Sequence, residues 1–155
     1  GYHLGEHGFW QKSNFHEEVT RVPLIIAAPG MPSGRTQSLV ELVDIFPTLT
    51  DLTHIKAPSD IQGKSLVPIL EDPSHSVRTS ALSIHHKGKT NSSGQAIRTP
   101  KWSFMRYKDG TEEMYDMEND PLQFTNLADK SEFRAIKHSL TTQLQQRLTD
   151  AQINK

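Results

Sequence analysis

Residues 102–116, WSFMRYKDGTEEMYD, carry the most legible local structure in this chain. Trp102, Phe104, Arg106 and Lys108 alternate with Ser103, Met105 and Tyr107, which is the period of a β-strand. Asp109-Gly110 supplies a tight turn, and Glu112 to Asp116 returns as a second strand. Asp120-Pro121 closes that layer. Working outward, Ser80 to His86 and Ala96 to Thr99 read as further strands, separated by the polar stretch 87–94. On the C-terminal side, Phe133, Ile136, Leu140, Leu144 and Leu148 recur at spacings of three and four. That is one face of an amphipathic helix, and it reads as core rather than as a partner groove. Asp129 with Glu132 three residues on predicts a capping box at its start.

The first third has a different character. Val22 to Ala28 is a short apolar run ended by Pro29-Gly30, the pattern of a strand buried on both faces of a parallel sheet. Asp44 is placed to cap a helix with Pro47 in its first turn and Ile45, Leu49, Leu52 and Ile55 along one face. Gly63 to Leu70 reads as loop plus a short helical turn. The expected architecture is the end of an α/β domain over residues 1–57. A C-terminal subdomain follows over 58–155, a small antiparallel sheet packed against a C-terminal helix.

The chain has 155 residues, enough for a real core, but nine prolines and nine glycines mean many loops. Its formal net charge is -1 with both signs interspersed, which argues against a nucleic-acid-binding arm or a basic membrane-binding face. No apolar run approaches the ~20 residues that span a bilayer. With no cysteine, disulfides and thiolate metal sites are excluded, while the compartment stays open.

Residues 1–12, GYHLGEHGFWQK, have the composition of an active-site loop: two histidines, a carboxylate and a lysine among three glycines. A domain seldom opens in the middle of a site, so a larger parent enzyme is expected. Lys12 is the leading candidate, because an ammonium can stabilise an anionic group and its transition state. His7 is suited to proton donation near a leaving group, with a loop-holding role as its competitor. His3 and His7 stand at i, i+4, but Gly5 and Gly8 disfavour the helix that would make them joint metal ligands, so no metal is assigned. Glu6 is expected to fix the loop through backbone N–H groups. Tyr2 suits a pocket mouth, and Trp10 packing beneath the loop. His85 and His86, at a strand end before a polar linker, are further candidates for substrate contact. Arg98 and Arg106 are expected to be exposed or paired on the small sheet.

Gly1, Leu4, Gly5, Glu6, His7, Gly8, Trp10 and Lys12 match, in order, a motif of the type I sulfatases. These are the formylglycine-dependent branch of the alkaline phosphatase superfamily, and the opening is most similar to iduronate-2-sulfatase-like enzymes. The resemblance continues through Glu17 to Ile26, Val43 to Leu49, Gly63 to Leu66 and Ala96 to Trp102. It takes in Glu113 to Met117, Asp120-Pro121 and Asn126-Leu127-Ala128. It implies a sulfuric ester hydrolase acting on a sulfated carbohydrate, with Lys12 on the sulfate and His7 near the leaving oxygen. It also implies a calcium ion and a formylglycine, whose Cys-x-Pro-x-Arg motif and Asp-His ligands would lie upstream of Gly1. The chain would then be inert by itself and would need the N-terminal part of the same enzyme. A periplasmic, secreted or lysosomal location follows from the same likeness. Two alternatives remain open here. One is a phosphatase or phosphonate monoester hydrolase of the same superfamily; the other is a non-catalytic binding or structural module.

Overall fold

The computed structural model describes residues 1–86 and 93–152, so most of the expected polar linker, 87–92, lies outside the described residues. The chain divides into two compact units. The first combines Gly1–Leu24 with Leu82–Arg147, and the second combines Ile25–Ala81 with the residues from Leu148 onward.

In the first unit, four strands form one sheet in sequence order: β1 (Ala81–His85), β2 (Gly94–Arg98), β3 (Trp102–Tyr107) and β4 (Glu112–Asp116). β2 and β3 run antiparallel with Ala96 opposite Met105 and Ile97 opposite Phe104. β3 and β4 run antiparallel with Phe104 opposite Met114 and Ser103 opposite Tyr115. Side chains alternate across a strand, so this register sorts them into two faces. Ala96, Met105 and Tyr115 share one face and pack with Phe15, Met117 and Tyr107. Ile97, Phe104 and Met114 take the other and are fully buried.

The helix α4 (Arg134–Gln152) serves that second face. Its Lys137 ion-pairs with Glu112 at 2.6 Å, and Arg106 donates to Thr141 Oγ1 at 3.3 Å. Leu140 and Leu144 are buried, as their spacing predicts. A 3-10 turn, Ser131–Phe133, leads in, with Trp102 edge-on to Phe133 at 5.9 Å. The predicted capping box is not formed. Lys130 is the N-cap, with no side-chain cap, and the Asp129 side chain is exposed. The extra 3-10 turn displaces the helix start beyond the reach of Asp129. Asn126 does cap, but on the sheet. Its Oδ1 accepts from Met114 N and Ala128 N, and its Nδ2 donates to Glu112 O, giving the outer edge of β4 a partner. Arg98 pairs with Glu17 at 2.9 Å and Arg106 with Glu112 at 2.8 Å, as expected.

The second unit is built on α2 (Ile45–Leu52) and α3 (Val67–Glu71). Asp44 does not act as a simple N-cap. It lies at the end of a 3-10 turn, Leu42–Asp44, where its carboxylate accepts from Glu41 N and Lys64 N, both at 2.8 Å. It also pairs with the buried Arg78, whose second nitrogen meets Glu41 at 2.7 Å. Thr48 donates to Asp44 O and accepts from Leu66 N, tying α2 to α3. The face of α2 that is buried is therefore Pro47 and Thr48; Ile45, Leu49 and Ile55 are exposed.

The expected strand Val22 to Ala28 is not formed. Those residues have no regular structure, and Ile25 is 90% exposed. A helix closes its hydrogen bonds within itself, but a strand needs a neighbour, and among the described residues no strand pairs with these. No helix among the described residues is long and apolar enough to cross a membrane.

Candidate active-site loop

The glycine-rich N-terminal segment folds back on itself through short backbone hydrogen bonds. His3 N donates to Gln11 O at 3.1 Å, Gly5 N to Phe9 O at 2.9 Å, Gly8 N to Gly5 O at 3.0 Å and Phe9 N to Glu6 O at 2.9 Å. The turn requires Gly5 at φ 125°, which L side chains rarely adopt, and it drives His7 to φ 54°. Glu6 holds the loop as expected, accepting from Leu4 N at 2.6 Å. That backbone hydrogen bond keeps the Glu6 carboxyl below its ordinary range.

Three histidines meet beneath the loop. His3 is fully buried and hydrogen-bonds the Asn14 carboxamide at 3.1 Å to Oδ1, an atom that also accepts from His16 N at 3.3 Å. His7 stacks on His16 with ring centroids 4.3 Å apart and planes 15° from parallel. His3 stands edge-on to both, 5.8 Å from each. Phe124 covers another side of His7 at 5.1 Å. His7 Nε2 faces Glu18 Oε1 at 3.7 Å, and the His7 side chain is only 11% exposed. His16 Nε2 meets Glu113 Oε2 at 3.1 Å, and Tyr115 donates to the same carboxylate oxygen at 2.7 Å. Burial pushes the Glu113 carboxyl up, but hydrogen bonds from His16 and Tyr115 more than offset it and leave it below the usual range. Burial, and then Glu113, push the Tyr115 hydroxyl far above its ordinary value.

Gln123 locks the opposite side. It sits at φ 57° and is buried, accepts from Glu17 N at 2.7 Å and donates to Ser103 Oγ at 3.1 Å. The short helix α1 (Glu17–Thr20) is thereby tied to both the sheet and the 120–125 turn.

Lys12 stands exposed at the end of the loop and makes no hydrogen bond or ion pair among the described residues. Tyr2 is also exposed, at 55%. Trp10 does not pack beneath the loop: it is 68% exposed, with only its ring edge near Gly5. The histidines already fill the space below, so the indole lies outside. His85 is half-buried on β1 and edge-on to Phe15 at 6.4 Å, which brings it to the segment following the loop. His86 is exposed and makes no polar or ring contact among the described residues. His3 and His7 come together without making a metal site; no group of three or more His, Cys, Asp or Glu able to hold a metal ion occurs among the described residues. Sequence reasoning missed His16, Asn14, Glu18 and Glu113. His16 and Glu113 lie on separate elements, and no local pattern links them.

A family model described as N-sulphoglucosamine sulphohydrolase, C-terminal, matches residues 5–150. The chain belongs to that family. Among curated relatives, an N-acetylglucosamine-6-O-sulfatase of Bacteroides thetaiotaomicron is 33% identical over 94% of this chain and 28% of its own length. Arylsulfatase K of Rattus norvegicus is 33% identical over 90% of this chain and 26% of its length. The solved structure of BT4656 in complex with its substrate D-glucosamine-2-N,6-O-disulfate matches all of this chain with a TM-score of 0.89 at 31% identity, and 33% of that chain is covered. This sulfatase C-terminal chain thus spans between a quarter and a third of the length of the relatives it matches. The four-stranded sheet and α4 agree with the C-terminal portion of the sulfatase structures.

Proposed function

We propose that this chain is the C-terminal part of a sulfatase that hydrolyses sulfate esters of a sulfated carbohydrate. By sequence, residues 1–57 end the α/β domain and 58–155 follow as a C-terminal subdomain. The observation that carries the reading is Lys12: an unpaired ammonium held at the end of a tightly bonded loop and exposed to solvent. Such a cation can neutralise sulfate oxygens as charge builds on them in the transition state. His7, on the same loop, assists at the leaving oxygen, and Tyr2, His85 and His86 contact the sugar. The relatives that act on sulfated glucosamines support the carbohydrate class.

This chain's residues do not fit the calcium ion or the formylglycine of the sulfatase reaction. It has no cysteine, and no metal-holding cluster occurs among its described residues. Both groups are assigned to sequence outside these 155 residues. The partner that supplies them is another part of the same polypeptide. Leu42, Val43, Phe46 and Leu49, all exposed in the second unit, support that partner, since large apolar side chains left in water favour a covering surface.

The test is sulfate release from glucosamine 6-sulfate by the full-length protein. Lys12→Ala is expected to lower kcat/KM by about 100-fold or more. An enzyme that prefers a phosphonate monoester to any sulfate ester, or a Lys12→Ala variant with unchanged kinetics, would overturn the assignment.

A further inference from the structure

His16 is a single buried ring on which several elements converge. Its backbone oxygen opens α1, accepting from Val19 N at 2.9 Å and Thr20 N at 3.0 Å. Its Nε2 is fixed by Glu113 on β4 at 3.1 Å. Its face carries His7 at 4.3 Å, while His3 at 5.8 Å, Phe9 at 6.2 Å and Tyr115 at 6.0 Å surround it. Three of those rings belong to the glycine-rich loop.

We propose that His16, held by Glu113, is a positioning residue for the sulfatase reaction: it is the floor that fixes where the loop presents His7 and, through it, Lys12. This rests on the roles given above to those two residues. The physical argument begins with the loop's backbone. Gly5, His7 and Gly8 all sit at positive φ, and the loop's own hydrogen bonds fix its path but not where it lies on the sheet. Its placement must come from what it packs on. A phenylalanine at position 16 would fill the volume equally well. A histidine hydrogen-bonded to a largely enclosed carboxylate costs desolvation that packing alone does not explain. What the pair adds is direction: Glu113, itself fixed by Tyr115, sets the rotation of the His16 ring and hence the plane on which His7 lies. A displacement of about 1 Å at a reacting group can cost on the order of 100-fold in rate.

The test compares His16→Ala and Glu113→Gln in the full-length protein, each alone and in a His7→Ala background. Two substrates are used, a sugar 6-sulfate and a nitrophenyl sulfate. A sugar alkoxide needs a proton as it leaves and a nitrophenolate does not, so losing the placement of His7 should weigh on the first. His16→Ala is expected to lower kcat for the sugar sulfate about tenfold or more, with a much smaller effect on the aryl sulfate. In the His7→Ala background the same change should cost less than about twofold, because the two residues act as one unit. Glu113→Gln should repeat the pattern at about threefold with the native circular dichroism spectrum retained, and it decides the matter if His16→Ala does not fold. Equal losses on both substrates, or a full loss repeated without His7, overturn the proposal. A wild-type protein that cleaves only a phosphonate monoester overturns the sulfatase reading instead, and the same cycle run on that ester then decides the role of His16.

Discussion

At the scale of single residues, buried charges govern this molecule. Asp44 and Arg78 are both buried and pair with each other, with Glu41 completing the cluster. Asp44→Ala leaves the buried guanidinium with Glu41 alone and strips Glu41 N and Lys64 N of their acceptor, and the expected loss is about 3–5 kcal/mol, read from the urea midpoint. A drop below ~1 kcal/mol would mean that Arg78 finds water or another acceptor. Asp44 is legible in the sequence as a helix-start residue. Its partner, 34 positions away, is not, because no local period encodes it. Glu113 makes a second prediction. Its carboxyl is held below the ordinary glutamate value of about 4.3, so the folded state binds its proton less readily than the unfolded one. The associated stability is present above that value and is lost as pH falls through the lower, folded one. Wild type should therefore exceed Glu113→Gln in stability at pH 6, with the gap closing below about pH 4, as followed by denaturant titration at several pH values. A gap independent of pH would contradict the assignment.

At the scale of elements, the hairpin and the C-terminal helix formed where the sequence places them. The hairpin of β3 and β4 turns at Asp109-Gly110, and α4 buries its leucine stripe, because each makes most of its hydrogen bonds with near neighbours in sequence. Leu144→Ala should remove about 2–5 kcal/mol and leave the strand register intact, measurable as an earlier thermal transition. Gly94 is less obvious. A Cβ there would stand 2.6 Å from Arg106 O and 3.1 Å from the Phe15 ring, so β2 and β3 can pair only if this position is bare. Gly94→Ala should cost about 1–3 kcal/mol, and amide exchange along β2 should quicken most. The run Val22 to Ala28 has the composition of a buried strand without the structure of one. Periodicity reports what a segment could bury, while pairing depends on a neighbour that its own residues do not specify.

For the whole molecule, the outward-facing apolar residues of the second unit are the main liability. Ile25, Leu42, Phe46 and Leu49 are exposed within one compact unit of the chain. The isolated 155-residue chain should therefore self-associate in sedimentation experiments, and the double change Phe46→Ser and Leu49→Ser should shift it toward monomer. A monodisperse monomer at high concentration would show that these side chains need no cover. The sequence by itself determined the hairpin, the C-terminal amphipathic helix, the cation-bearing glycine loop and the likeness to sulfatases. Each of these is written in short-range order: a period, a turn dipeptide, a motif. Only the tertiary structure decided that His16 lies under His7 with Glu113 behind it, that Arg78 neutralises Asp44, and that residues 22–28 remain unpaired. Those outcomes depend on contacts between distant segments, whose geometry follows from the packing of the whole chain rather than from any one stretch of it.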